Sequence, residues 1–133
     1  QNAFVEEVRY WINYLGIHTY HVSIMCESDL GSRAATIVSD PVSARNAAII
    51  LGTTWSTDDY PTDEKVRSIA FHEVLELLLT DIRNELEFAV GVVKSDMLTH
   101  QTIHTLTNTL FKEHYYRRFC EVPKPHKCKC GGK

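Results

Sequence analysis

A short apolar segment carries three side chains whose types and spacing suit metal chemistry. His72 and Glu76 are four residues apart, so a helix places them on one face, where both can bind the same ion. Glu73 projects from a neighbouring part of that face, in the position of a base for water activated by a metal. The pattern predicts a Zn²⁺ site with His72 and Glu76 as ligands and Glu73 as the catalytic general base.

A third ligand has to come from elsewhere in the chain, and the last predicted helix supplies two candidates. His100 and His104 are four residues apart, and both border the apolar face of that helix. Antiparallel packing across a break at Gly91 would bring one of them to His72 and Glu76. We favour His100, because its position relative to the apolar face places it nearer the interface between the two helices. His104 is the alternative. The competing interpretation is that the polar stripe is only the solvated edge of a core helix.

A second group of metal-binding side chains lies near the C-terminus. Three thiols and one imidazole are enough donors for a closed Cys3His zinc site, but Cys-x-Cys is not the usual spacing of a zinc knuckle. The interpretation that we favour is a flexible basic tail with free thiols. The residues of this candidate second metal site are Cys120, His126, Cys128 and Cys130.

Composition limits the class of protein. The chain has 133 residues, of which 44% are hydrophobic and 23% charged, which is typical of one globular domain with a real core. Its net charge of -3 argues against a general nucleic-acid binder, although basic residues dominate the last part of the chain. We expect a domain over residues 1–117 and a basic, Cys- and His-containing tail over residues 118–133.

Two further patterns concern the environment of the protein. No segment approaches the roughly 18 consecutive apolar residues of a membrane helix, so we expect no membrane partner. One isolated cysteine and three clustered ones form a poor disulfide framework, which favours a reducing compartment. We therefore expect a cytoplasmic protein.

Apolar periodicity predicts the elements that must position these residues. The order is a helix, three short strands and two helices, which predicts an α+β fold with an N-terminal helix, a small three-stranded sheet, a motif helix and a C-terminal helix. The predicted segments are a helix over 4–15, strands over 20–27, 34–39 and 46–52, the motif helix over 63–86, and the last helix from 95 or 96 to 116.

These features together resemble the compact zincin-like domains, of gluzincin type, that are often encoded in phages and prophages. The resemblance covers residues 8–111, and its strongest parts are the segments 47–51, 69–73 and 100–104. It implies that His72 is a zinc ligand and Glu73 the general base. The usual motif has a second histidine where this chain has Glu76. This HExxE variant would hold the same set of two histidines and one glutamate, with the positions exchanged.

The resemblance also implies a function. It indicates a zinc-dependent metallopeptidase acting on a peptide or protein, in which the strand before the motif helix pairs with the extended substrate through its edge. One alternative is a catalytically inactive phage accessory or assembly protein with the same fold. Another is a binding module that contacts nucleic acid through the basic tail. The substrate-edge residues implied by the resemblance are Ala47, Ile49 and Leu51.

Overall fold

The computed structural model describes residues 1–28, 35–40, 45–54 and 61–120, and most of these residues are helical. A π-helical turn, Thr107–Phe111, connects the last two helices without a break. No helix in these ranges is both long and apolar enough to cross a membrane. The elements in chain order are α1 (Asn2–Tyr14), β1 (His21–Glu27), β2 (Ala35–Asp40), β3 (Asn46–Gly52), α2 (Asp63–Val90), α3 (Val92–Leu106) and α4 (Lys112–Phe119).

The predicted fold, organised around a three-stranded sheet with a motif helix and one C-terminal helix, is wrong. The chain is mostly helical, and its sheet is essentially the parallel pair β1–β3, with β2 joined to β3 by antiparallel backbone pairing. The helices dominate because α2 continues to Val90 and α3 begins at Val92, so that only Gly91 interrupts a helical stretch that was predicted to contain a longer loop. Only the broad α+β class is retained.

The prediction that β3 offers a free edge to a substrate is also wrong. The strand order is β1-β3-β2, so both edges of β3 are already hydrogen-bonded to neighbouring strands. Its side chains Ala47, Ile49 and Leu51 are buried in the core. A nearly continuous apolar run is typical of such a central strand, whereas an edge strand usually alternates with polar residues.

The start of α2 follows from its sequence. The Thr62 hydroxyl accepts a hydrogen bond from the backbone N–H of Lys65 at 3.2 Å and so caps the N-terminus of the helix. Asp63 and Glu64 lie in the first turn, where carboxylates interact favourably with the helix dipole. The helix then packs into an aromatic core, in which the Phe71 ring lies 4.5 Å from Trp11 and 5.7 Å from Phe111 between ring centroids.

A buried ion pair connects α1 to α2. Glu7 is fully buried, and its Oε2 accepts a hydrogen bond from Arg67 Nη1 at 2.9 Å, while Oε1 accepts one from Trp11 Nε1 at 2.8 Å. Arg67 also donates to Asp63 at 2.8 Å, and its guanidinium lies 4.2 Å from the centre of the Phe119 ring. The pair therefore joins α1, α2 and the end of α4.

The end of α4 shows where the helical body finishes. Residues 118 and 119 belong to α4, and Arg118 Nη1 lies 3.6 Å from Glu7 Oε2. The helical body thus extends two residues beyond the boundary predicted at residue 117.

We expect Arg67→Met to lower the free energy of unfolding by about 3–5 kcal/mol, because it leaves the carboxylate of Glu7 buried without its closest cation. Adding Glu7→Gln should recover part of that loss, since the buried charge is then removed as well. Urea unfolding of the single and double variants measures both effects. The exposed pair Arg45–Asp81 gives the control, and Arg45→Met should cost less than about 1 kcal/mol. Equal costs for Arg67→Met and Arg45→Met would contradict a structural role for the buried pair.

Candidate metal centre

The hairpin formed by α2 and α3 positions the candidate ligands. Gly91 is the single residue between the helices, with φ of 83° and ψ of 157°, a conformation that is essentially restricted to glycine. Ser95 and Thr99 are small and buried on the side of α3 that faces α2, and Ser95 Oγ donates a hydrogen bond to the Arg83 carbonyl at 2.9 Å. α3 therefore folds back closely along α2, as the predicted antiparallel packing requires.

Three of the four predicted ligands meet across this hairpin. Glu76 Oε1 lies 3.2 Å from His72 Nε2 and 3.4 Å from His100 Nε2. One ligand atom from each residue lies within 4.8 Å of the other two, a spacing that can hold a metal ion. All three side chains are partly buried, which leaves the group accessible from one side.

The fourth predicted ligand lies beside this group. The ring of His104 is 6.1 Å from that of His72 between centroids, compared with 5.9 Å for His100. His104 is exposed, and it is not among the three residues whose ligand atoms converge. Of the two alternatives left open by the sequence, the structure thus brings His100 against Glu76.

Asp96 orients His100, a role that the sequence analysis missed. His100 Nδ1 lies 3.0 Å from the Asp96 carbonyl oxygen and 3.4 Å from its carboxylate Oδ1. Both partners can only accept, so a hydrogen on Nδ1 satisfies this contact and leaves Nε2 as the ring nitrogen directed towards Glu76. Metal-binding histidines are commonly held in this way by a carboxylate or carbonyl. An acidic residue four positions before a candidate histidine on a helix was the available signal.

The charges of the cluster are coupled. The hydrogen bond to Glu76 raises the pKa of His72 above its ordinary value of 6.5, against the opposing effect of burial. Burial disfavours the ionised form of Glu76, but the hydrogen bond and charge of His72, with the charges of His100 and Arg83, lower its pKa below 4.5. In the metal-free protein, a proton on His72 therefore compensates the carboxylate.

Glu73, the predicted base, lies on the buried side of α2. It follows His72 directly and is only 6% exposed. Its negative charge also contributes to the raised pKa of His72, which shows that the two side chains are close enough to interact. Its role as a base stays a prediction.

The predicted second metal site falls mainly outside the described residues. Cys120 lies exposed directly after α4. The other three donors, His126, Cys128 and Cys130, lie outside the part of the chain that the structure describes.

No family profile, curated protein or solved structure matches this chain. The functional argument therefore rests on the geometry of the cluster at His72, Glu76 and His100.

We expect the imidazole of His72 in the metal-free protein to titrate above pH 6.5, and Glu76→Gln to lower its pKa by removing the carboxylate that stabilises the imidazolium. The His72–Glu76 interaction should stabilise the fold most between about pH 4.5 and 6.5. Its contribution falls at higher pH as His72 loses its proton, and at lower pH as Glu76 gains one. Histidine ring NMR during a pH titration measures the first effect.

The exposed His18 lies outside α2 and α3, so its ring signals provide an internal reference in the same spectra. An unaltered His72 titration in Glu76→Gln would show that the two side chains are not paired in solution.

Proposed function

We propose that this protein is a zinc-dependent hydrolase of peptide type, with Zn²⁺ held by His72, Glu76 and His100. The observation that carries the proposal is the convergence of three ligand atoms from two helices within 4.8 Å of one another. The other ring nitrogen of His100 lies against Asp96, and histidines that bind metals are usually held at that nitrogen by a carboxylate or carbonyl oxygen.

The donor set fits zinc. Two imidazole nitrogens and one carboxylate are the protein ligands of a known class of catalytic zinc sites, in which the fourth position is left for water or substrate. The partial burial of all three residues suits such an open site better than a closed structural one. Softer thiolate donors are absent from the cluster, so it differs in kind from the predicted site in the tail.

Each residue then has a definite role in hydrolysis. His72 and His100 provide neutral nitrogens, Glu76 provides negative charge, and Asp96 holds the His100 ring in orientation. A zinc ion bound there would supply Lewis acidity, which polarises a carbonyl group and makes water more acidic. Glu73 would accept a proton from the attacking water and return it to the departing amine.

Peptide hydrolysis is the reaction that we favour because of the residue that follows the first ligand. A glutamate directly after a helical histidine ligand is the arrangement in which a metallopeptidase places its general base. Glu73 is largely shielded from bulk water, an environment in which proton transfer stays confined to the reacting groups.

We expect His72→Ala and His100→Ala each to bind about one zinc ion fewer per chain than the parent, because a site with two remaining ligands does not retain the metal. Elemental mass spectrometry after loading with zinc and dialysis at pH 7.5 measures the stoichiometry. His18→Ala, which changes an exposed histidine distant in sequence, should match the parent, as should His104→Ala.

The difference between parent and variant isolates the helix site from the tail. Cys128→Ala leaves the helix ligands intact, so it should retain the zinc ion that His72→Ala loses. Equal zinc content in the parent, His72→Ala and His100→Ala would contradict the proposed metal site.

We expect Glu73→Gln to reduce peptide hydrolysis by about 10²–10⁴-fold while the zinc content and the unfolding curve stay close to those of the parent, since the amide cannot accept the proton. Incubation with a mixed peptide library, followed by mass spectrometry of the products, measures the activity. Glu85→Gln, an exposed position on the same helix, is the matched control.

Two outcomes would count against this function. Full activity in Glu73→Gln would show that another group is the base. No cleavage by the zinc-loaded parent would favour the alternative of a catalytically inactive protein that keeps the metal site.

A further inference from the structure

Arg83 lies between the candidate metal centre and the turn of the helical hairpin. Arg83 is seven residues after Glu76, so it lies on the same face of α2, two turns further along. Its side chain is 33% exposed, and its charge acts on Glu76. The guanidinium is therefore held within electrostatic range of the ligands.

The guanidinium of Arg83 has unused hydrogen-bonding capacity. Its Nε atom is buried and has no hydrogen-bond partner among the described residues. The carboxylate paired with it, that of Glu87, lies 3.9 Å away, which is beyond hydrogen-bond distance. The partly exposed guanidinium can bind an incoming carboxylate through the parallel N–H groups of its two terminal nitrogens, without using the buried Nε atom.

Two exposed apolar side chains lie on the face of α3 that carries His100. Val93 and Met97 precede His100 and His104 at a spacing that places all four residues on one face of α3. Val93 is 86% exposed and Met97 is 50% exposed. The hydrogen bond from Ser95 to the Arg83 carbonyl aligns this part of α3 with the Arg83 end of α2. Exposed apolar side chains beside a ligand-binding group are typical of a recognition surface.

The spacing fits the end of a peptide. Seven helical residues separate Glu76 and Arg83 by roughly 10 Å along α2. The arginine side chain leans back towards the N-terminus of its helix, which shortens that gap by several ångströms. One extended residue spans about 3.3–3.6 Å, so one or two residues cover the distance from the metal ligands to the guanidinium.

We propose that this side of the α2–α3 hairpin binds the carboxy-terminal end of a peptide, with Arg83 holding the terminal carboxylate and Met97 and Val93 contacting an apolar terminal side chain. The proposal rests on the zinc site proposed above and narrows its substrate to peptides with a free, apolar C-terminus. Cleavage would then remove one or two residues from that end.

The test uses the zinc-loaded full chain and a pair of zinc-binding probes, mercaptoacetyl-leucine and its C-terminal amide. The thiolate of either probe binds the metal, and only the acid offers a carboxylate to Arg83. We expect isothermal titration calorimetry to show about tenfold or greater preference for the acid. Mercaptoacetyl-leucyl-leucine and its amide repeat the comparison for a carboxylate one residue further away.

Matched variants assign the preference to its source. Arg83→Gln should abolish the preference for the acid while zinc content and thermal unfolding stay unchanged. Lys94→Gln, which removes a nearby cation on α3, should retain the preference for the acid. Met97→Ala should reduce the preference for mercaptoacetyl-leucine over mercaptoacetyl-glycine, because the apolar contact is lost.

The results separate this proposal from the proposed function. If the parent holds zinc at the helix site and binds acid and amide equally with both probe lengths, the recognition role of Arg83 is overturned and the zinc site stands. If Arg83→Gln keeps the parent's preference, the carboxylate is bound elsewhere and the proposal is equally overturned. If the parent takes up no zinc at His72 and His100, the proposed function fails and this inference fails with it.

Discussion

The buried ion pair between Glu7 and Arg67 is the interaction on which the arrangement of the helices depends. A fully buried carboxylate is tolerated only where cations and hydrogen-bond donors compensate it, and Glu7 finds them in Arg67, Trp11 and Arg118. These partners come from α1, α2 and α4. The charge can thus be satisfied only when the three helices pack together, which fixes the direction in which α2 leaves the core. His72 follows Arg67 by five residues on that helix.

The second constraint is the closeness of α3 to α2. Gly91 allows an abrupt reversal of the chain, and the small buried side chains of Ser95 and Thr99 allow the two helices to approach. Bulky residues in place of Ser95 and Thr99 would keep His100 away from Glu76, since Ser95, Thr99 and His100 lie within two turns of α3. The candidate metal centre is therefore a product of packing as much as of ligand chemistry.

The same cluster explains how the protein tolerates these groups without a metal. Burial makes an isolated carboxylate costly, but a protonated His72 beside Glu76 neutralises it. A divalent cation would replace that proton, so metal binding and protonation compete for one position. Arg83 adds positive charge to the same face, which contributes to lowering the pKa of Glu76.

The sequence by itself determined the local features. Three local features could be predicted because each depends on residues within one turn or one strand. They are the spacing of His72 and Glu76, the helix break at Gly91 and the apolar run of β3. The sequence also limited the distal ligand to His100 or His104. It assigned β3 wrongly to an edge and gave the sheet too large a part in the fold, because strand order and the continuation of helices depend on contacts between distant segments.

Only the tertiary structure showed that His100 is the histidine that lies against Glu76, and it revealed the further contacts of this cluster. His100 was brought to Glu76 by the register of α3 along α2, which is set by Ser95 and Thr99 and not by the histidines themselves. The contact between His100 Nδ1 and the Asp96 carbonyl oxygen lies within α3, whereas the hydrogen bond from Ser95 to the Arg83 carbonyl fixes how α3 lies along α2. Helical periodicity specifies which residues share a face. The axial position of one helix along another is fixed only by the side chains that pack between them.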